Sequence, residues 1–247
     1  MKDYIKNLHK ELEKIDLELI MSAKNKKAPK TIKIYNEDYK RYNLKINKNF
    51  DSKKNIFDLL NIRTSVRDYR EDYISFENFS TLLHYSYGIK NYRSNAYNNN
   101  LYPVSFSPSA GGLNPFNIYI YIKRVQGIDP GLYYYSPSEE AIVQIFKGAV
   151  ELDLVNNYTT EFPVYAAFNL FIIADINRFV WKYGNRGYRM VNIDAGILSE
   201  NITLIATALG LGSCMIAAFS NDIVSENMNL MDDELPILGI SVGVPNE

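Results

Sequence analysis

The sequence predicts an α+β fold, and three stretches carry that prediction. Residues 117–125, NIYIYIKRV, alternate at the two-residue period of a strand. Residues 168–174, FNLFIIA, are a near-continuous apolar run of strand length, the pattern of a central strand covered on both faces. Residues 188–209 are apolar on almost every side at helical length, and Ala195, Gly196, Ala206 and Ala208 permit close approach. Such a helix belongs in the middle of a core or of a subunit interface. A chain of 247 residues can bury one substantial core, so we expect an appended segment over residues 1–54 and one domain over residues 55–247.

In chain order, Ile5, Leu8, Leu12, Ile15 and Leu19 recur every three or four residues. They predict one amphipathic helix over residues 3–22, packed on the body or on a second subunit. Residues 24–54 are lysine-rich, with Pro29, Asn43 and Asn47, and read as an extended connector whose charges are solvated or dock an acidic partner. Residues 55–62 form a short helix. Ser75 caps a second one running through Gly88, with Phe76, Phe79, Leu82, Leu83 and Tyr87 on its buried face. The Asn- and Tyr-rich residues 91–102 read as a loop, as does SFSPSAGGLNPF over residues 105–116, whose prolines and glycines leave backbone N–H groups exposed. Residues 129–131 turn the chain into the strand LYYYS, AIVQIF is a further strand, and residues 151–158 form a short helix. Gly210 ends the long helix; residues 213–218 and 236–244 are strands around a helix at 221–228.

Composition removes several chemistries. One cysteine, Cys214, excludes an internal disulfide framework and any multi-cysteine zinc or iron–sulfur site, and two remote histidines, His9 and His84, argue against a His-rich metal centre or a His-activated nucleophile. GxGxxG after a strand, the P-loop, HExxH and GxSxG are absent. No apolar run reaches the ~20 residues that span a bilayer and no signal-peptide core follows Met1, so a cytoplasmic protein without membrane insertion is expected. Charge is split: residues 1–54 carry 15 Lys+Arg against 8 Asp+Glu (+7), and residues 55–247 carry 12 against 20 (−8). An acidic body points away from nucleic acid. Seven of its 12 cations fall in two stretches, Arg63, Arg67 and Arg70, then Arg178, Lys182, Arg186 and Arg189. Such clustering points to a bound anion, except at Arg70, where ion pairs with Asp68, Glu71 or Asp72 explain it as well.

Three short motifs hold the candidate chemistry. Arg63, Ser65 and Arg67 in RTSVR set two guanidinium forks and a hydroxyl where a phosphate would fit. Ser109, Ala110, Gly111 and Gly112 could wrap an anion or a flat ring through backbone donors. Lys182 and Tyr183, inside FVWKYGNRGYR, pair the side chain whose pKa falls most readily on burial with a natural proton donor. Two phosphate-friendly stretches beside a Lys-Tyr pair point to a phosphorylated cofactor.

The order RTSVRDY, SPSAGGLNPFNIYI, GLYYY, KYGNRGYR, DAGILSENITLIATALGLGSCMIAAF and LGISVGVP resembles the nitroreductase-like FMN oxidoreductases over residues 55–245. It most resembles their branch that oxidises azolines to thiazoles and oxazoles in ribosomally made peptides, the streptolysin- and microcin-type dehydrogenases. The N-terminal segment, with His9 and YKRYNLKI, is similar to the leader region of that branch. The resemblance implies a mixed, largely antiparallel sheet flanked by helices, a homodimer with FMN at the interface, and the long helix buried between subunits. Arg63, Ser65 and Arg67 would hold the FMN phosphate and ribityl chain. Pro108, Ser109, Ala110, Gly111 and Gly112 would approach the flavin from the other subunit, and backbone groups of Ala217 and Ala218 would face its redox-active edge. Lys182 and Tyr183 match the pair that the azole-forming branch uses for catalysis. Many nitroreductases also place a C-terminal Lys or Arg on the phosphate; no basic residue follows Arg189 here, leaving that charge to Arg63 and Arg67, with Arg186 or Arg189 as possible helpers.

The implied reaction is two-electron oxidation of a peptide azoline, with Lys182 or Tyr183 as base, hydride passing to FMN and dioxygen reoxidising it. A lysine base must be neutral, and burial with Arg186 nearby would lower its pKa. Partners would be a peptide substrate and a cyclodehydratase complex. Alternatives on the same scaffold are an NAD(P)H-dependent nitro or quinone reductase, a dehydroamino-acid reductase, or a non-catalytic flavin-binding component of a peptide-modifying complex.

Overall fold

The computed structural model describes residues 1–246. Its centre is β8 (Phe168–Asp175), which pairs antiparallel with β5 (Phe116–Ile122) on one side and β10 (Glu234–Pro245) on the other. β6 (Gly131–Ser136), β7 (Ala141–Lys147) and β1 (Arg41–Asn43) extend the sheet beyond β5, while β9 (Gly212–Ile216) and β2 (Tyr69–Arg70) pair with β10. The strand ladders are antiparallel, and the parallel contribution comes from isolated bridges such as Ser65 with Ser213.

The period-2 pattern decides what each sheet face buries. Ile118, Ile120 and Ile122 of β5 join Phe168, Leu170 and Ile172 of β8 on one face, against α4 (Phe76–Tyr87) and α7 (Arg186–Ala208). Tyr119 and Tyr121 join Phe171 and Ile173 on the other, against α5 (Glu151–Asn157), α8 (Asn221–Asn227) and Tyr35 of the N-terminal arm. A strand covered on both faces has no polar side to show, which is why β8 reads as an unbroken apolar run. Ser75 caps α4 by accepting from Asn78 N–H at 3.1 Å, as its position in sequence predicts.

Three expectations need correcting. The N-terminal helix is two helices, α1 (Lys2–Glu13) and α2 (Leu17–Ala23), because Asp16 accepts from Leu19 N–H at 2.8 Å and starts a new helix within the apolar repeat. α1 contributes no buried residue, so its apolar seam is only partly covered. The basic arm is not wholly solvated: Lys33 donates at 2.8 Å to buried Glu234 and to Tyr119 Oη, pinning the arm to the sheet. Residues 91–102 belong to a hairpin, β3 (Ile89–Ala96) and β4 (Asn99–Ser105), whose two-residue turn at Tyr97 and Asn98 has both φ angles positive, 53° and 54°. That mirror-image turn matches strand twist but is usually marked by glycine, and its absence hid the hairpin. The long helix α7 is buried on one side through Val191, Ala195, Leu198, Ile202 and Ala206, whereas Tyr188, Ile193 and Ile197 are exposed in the single chain. Exposed Ile56, Phe57 and Leu60 of α3 (Ile56–Ile62), a helix that packs on α7, add to the uncovered apolar surface. Among the described residues, no helix is long and apolar enough to cross a membrane.

Candidate functional site

The Lys-Tyr pair occupies the last turn of α6 (Ile176–Tyr183), a helix begun by Asp175, whose carboxylate accepts from Asn177 N–H at 3.0 Å. Gly184 ends it at φ 54°, a left-handed value that suits glycine, and α7 starts two residues later. Residues 182 and 183 are thereby fixed at a sharp corner between two helices.

At that corner three segments far apart in sequence converge. Lys182 Nζ donates to Tyr97 Oη at 2.8 Å, and Tyr97 Oη donates to the Gly111 carbonyl at 2.7 Å. Lys182 Nζ also stands 4.9 Å from the Tyr97 ring centroid and 5.1 Å from that of Tyr183. Gly111 is held at φ 62°, and a Cβ there would lie 2.7 Å from Tyr183 Oη and 3.0 Å from Lys182 Nζ. Glycine is therefore required twice over, by conformation and by the close approach of both side chains. Tyr97 itself is wedged edge-on between Tyr102 and Trp181, with ring centroids 5.4 and 5.3 Å away.

The loop beneath is anchored by Asp194 of α7, whose Oδ2 accepts from Ala110 N–H at 2.8 Å. Burial pushes the Asp194 carboxyl up to about 6, against the opposing pull of that N–H. For Lys182 burial acts downward, but the hydrogen bond it donates to Tyr97 and the proximity of Tyr183 outweigh it, and the net displacement is upward. This reverses the expectation of a lysine made neutral by burial. Arg186 is not among the groups that shift the lysine; its guanidinium donates to the Glu13 carbonyl of α1. Neither Asp194 nor Tyr97 was singled out by sequence. An acid inside an apolar helix was the available signal for Asp194; for Tyr97, one of twenty tyrosines, there was none.

Arg63, Ser65 and Arg67 directly follow α3, on a segment pinned to β9. Val66 N–H donates to the Ser213 carbonyl at 2.9 Å, and the Val66 side chain fills the place a Cβ on Gly212 would take. Ser65 and Arg67 are exposed. Arg63 Nε stands 3.9 Å from Glu200, and Arg67 forms no ion pair among the described residues, lying instead 5.9 Å over the Phe162 ring. Ala217 and Ala218 are exposed just past the end of β9. The motif residues thus form two groups: Arg63, Ser65, Arg67, Ala217 and Ala218 around β9, and Pro108 to Gly112 with Lys182 and Tyr183 at the α6 corner.

Not every cation of the sequence clusters belongs to a site. Arg178 is buried and its guanidinium is spent on Asn117 Oδ1 at 2.8 Å, the Phe116 carbonyl at 3.1 Å and Asp175 at 3.0 Å. It braces α6 against β5. Arg70 pairs with Asp72 at 2.6 Å, as the ion-pair reading anticipated. Two clefts flank the α6 corner: one of about 650 Å³ reaches Tyr183 from the α1–α2 joint, and one of about 270 Å³ reaches Tyr97 and Gly111 from the hairpin side.

Comparison with known proteins agrees with this architecture. A chain of the E. coli microcin synthetase McbBCD complex, solved with truncated pro-MccB17 bound, superposes with a TM-score of 0.63 at 19% identity, over 94% of this chain and 83% of its own. An Anabaena variabilis structure assigned as a nitroreductase superposes with a TM-score of 0.71 at 27% identity, covering 85% of this chain; this chain spans only 42% of that one. A Methanocaldococcus jannaschii protein assigned as a nitroreductase is 32% identical over 187 residues, 75% of this chain and 89% of its own length. The family model for the nitroreductase family matches residues 60–244, which contain the β9 segment, the glycine loop and the α6 corner, and the chain belongs to that family of oxidoreductases.

Proposed function

We propose that the chain is an FMN-dependent dehydrogenase that oxidises azoline rings in a peptide to azoles. The observation that carries this reading is the convergence of Lys182, Tyr183 and Tyr97 on Gly111, a proton-handling cluster beside a loop suited to a flat ring. The residues present fit FMN: two guanidinium groups and a hydroxyl on the β9 segment match a phosphate, and Gly112, where a Cβ would meet nothing within 4 Å, leaves room for a planar group to approach the backbone. Arg63, Ser65 and Arg67 would hold the phosphate, with Ala217 and Ala218 at the ring's edge. FMN, when bound, supplies the two-electron acceptor.

The protein's own part is the proton. Because Lys182 titrates above its ordinary value, it acts as an ammonium. Tyr183 then serves as the group that takes the proton next to the ring nitrogen, and Lys182, held by Tyr97, sets a positive charge beside it. The exposed stripe of Tyr188, Ile193 and Ile197, with the apolar surface of α3, is the expected dimer contact, through which the Pro108 to Gly112 loop of one protomer meets the flavin of its partner. Mass spectrometry of a cyclised precursor peptide tests the reading: the protein should remove two hydrogens per ring, and Lys182→Ala and Tyr183→Ala should abolish that loss while the flavin stays bound. Azoline oxidation intact in both variants would refute the assignment.

A second reading is an NAD(P)H-dependent reductase, favoured by the 32% identity to a relative assigned as a nitroreductase. Rapid bleaching of the bound flavin by NAD(P)H, with no azoline oxidation, would select it.

A further inference from the structure

The hairpin β3–β4 stands off the main sheet and forms one wall of the cleft of about 270 Å³, the loop over residues 106–112 forming the other. Its inner end is Tyr97 and Gly111, one side chain away from Lys182. Its outer wall carries Lys90 and Arg93, both exposed, and neither makes an ion pair or a side-chain hydrogen bond among the described residues. In a body with 20 acidic residues against 12 basic ones, two unpaired cations in one cleft are a local reversal of charge. The cleft wall also contains Ser105 and Ser107, whose buried hydroxyl oxygens have no hydrogen-bond partner. Buried hydroxyls are normally paired, so this wall holds unspent hydrogen-bonding capacity.

We infer that this cleft binds an extended, acidic stretch of the peptide substrate flanking the ring, with Arg93 and Lys90 reading its carboxylates. The inference rests on the proposed azoline dehydrogenase. Order along the hairpin sets the order of contacts: Tyr97 is at the tip, with Arg93 four residues and Lys90 seven residues before it. A carboxylate nearer the ring meets Arg93, and one further along the peptide meets Lys90. Arginine adds a bidentate fit, and lysine a point charge.

The test is fluorescence anisotropy on the full flavin-loaded protein. The probes are a labelled Gly/Ser peptide carrying aspartates and its asparagine counterpart. The aspartate peptide should bind the wild type more tightly, and the double reversal Lys90→Glu/Arg93→Glu should weaken it by about tenfold or more while leaving the asparagine peptide within about twofold. Equal affinity of the wild type for both peptides, or an equal loss for both in the variant, would overturn the inference. So would release of flavin from the variant together with competition of inorganic phosphate for the cleft, since the cations would then serve a phosphate. The azoline assay separates the two claims. Ring oxidation without any acid preference sinks the cleft alone, and an acid preference without ring oxidation sinks the dehydrogenase reading.

Discussion

The β9 segment and the α6 corner hold the two halves of the candidate site by opposite means. Around β9 the chain is fixed by backbone: Val66 N–H bonds to Ser213 and Val66 fills the space over Gly212, while the side chains of Arg63, Ser65 and Arg67 take no part in that backbone anchor. At the α6 corner the backbone segments come from a hairpin tip, a glycine loop and a helix end, and side chains join them: Tyr97 to Lys182 and to Gly111, and Asp194 to Ala110. A backbone-held platform tolerates side-chain change and suits a common cofactor. A side-chain-held cluster fails when one member moves, and suits the step that distinguishes one reaction from another.

The sharpest way to break that contrast is Gly111→Ala. The new Cβ would sit 2.7 Å from Tyr183 Oη and 3.0 Å from Lys182 Nζ, at a φ of 62° that alanine adopts only with strain. A displacement of about 1 Å at reacting groups costs on the order of 100-fold in rate. We expect azoline oxidation to fall by that factor while flavin absorbance per chain is retained, because the β9 platform is untouched. Loss of flavin and rate together would merge the two regions into one.

On the platform, Arg67→Ala should do the reverse. A charge-assisted hydrogen bond to a phosphate is worth about 1.5–3 kcal/mol, so flavin affinity should fall by about 10- to 100-fold. Activity per bound flavin should hold, as read by titrating the apoprotein with FMN and normalising turnover to occupancy.

The same contrast explains what could be read from the sequence. The strands β5, β6, β7, β8 and β10 and the helices α4 and α7 carry an apolar run or repeat in their own residues, and they lie where the sequence predicts. RTSVR and AGG are local motifs, visible without a fold. Tyr97 is invisible because its role comes from a turn without glycine that brings it 85 residues away in sequence to Lys182. Arg178 misled for the complementary reason: it neighbours the pair in sequence, yet α6 turns it into the core. The lysine's pKa misled too, since burial alone predicts a fall and only the partner's position reverses it.

Asp194→Asn probes the tie between α7 and the glycine loop. The Asp194 carboxyl titrates at about 6 when folded, above its ordinary value, so the folded chain binds that proton more readily than the unfolded one. Its contribution to stability is greatest below about pH 4 and is lost as pH rises through about 6. Asparagine keeps an acceptor for Ala110 N–H without the buried charge. The variant should match wild type in denaturant unfolding at pH 4 and exceed it by about 1–2 kcal/mol at pH 8.

The smallest effect, and the finest test of the corner, is Tyr97→Phe. Phenylalanine keeps the edge-on packing against Tyr102 and Trp181 and removes only the hydroxyl that Lys182 donates to. The hydroxyl is not itself the proton acceptor and Lys182 keeps its charge at neutral pH without it, so the rate there should fall only a few-fold. The informative quantity is the pH profile. Burial pulls the Lys182 pKa down and the Tyr97 hydroxyl is the first of the groups pushing it up; removing that hydroxyl leaves burial less opposed. If Lys182 works as an ammonium, the alkaline limb of kcat must move to lower pH in Tyr97→Phe, because the charge is lost earlier. A uniform drop in rate with the limb unmoved would mean that Tyr97 only packs, and that the proton is handled at the corner without it.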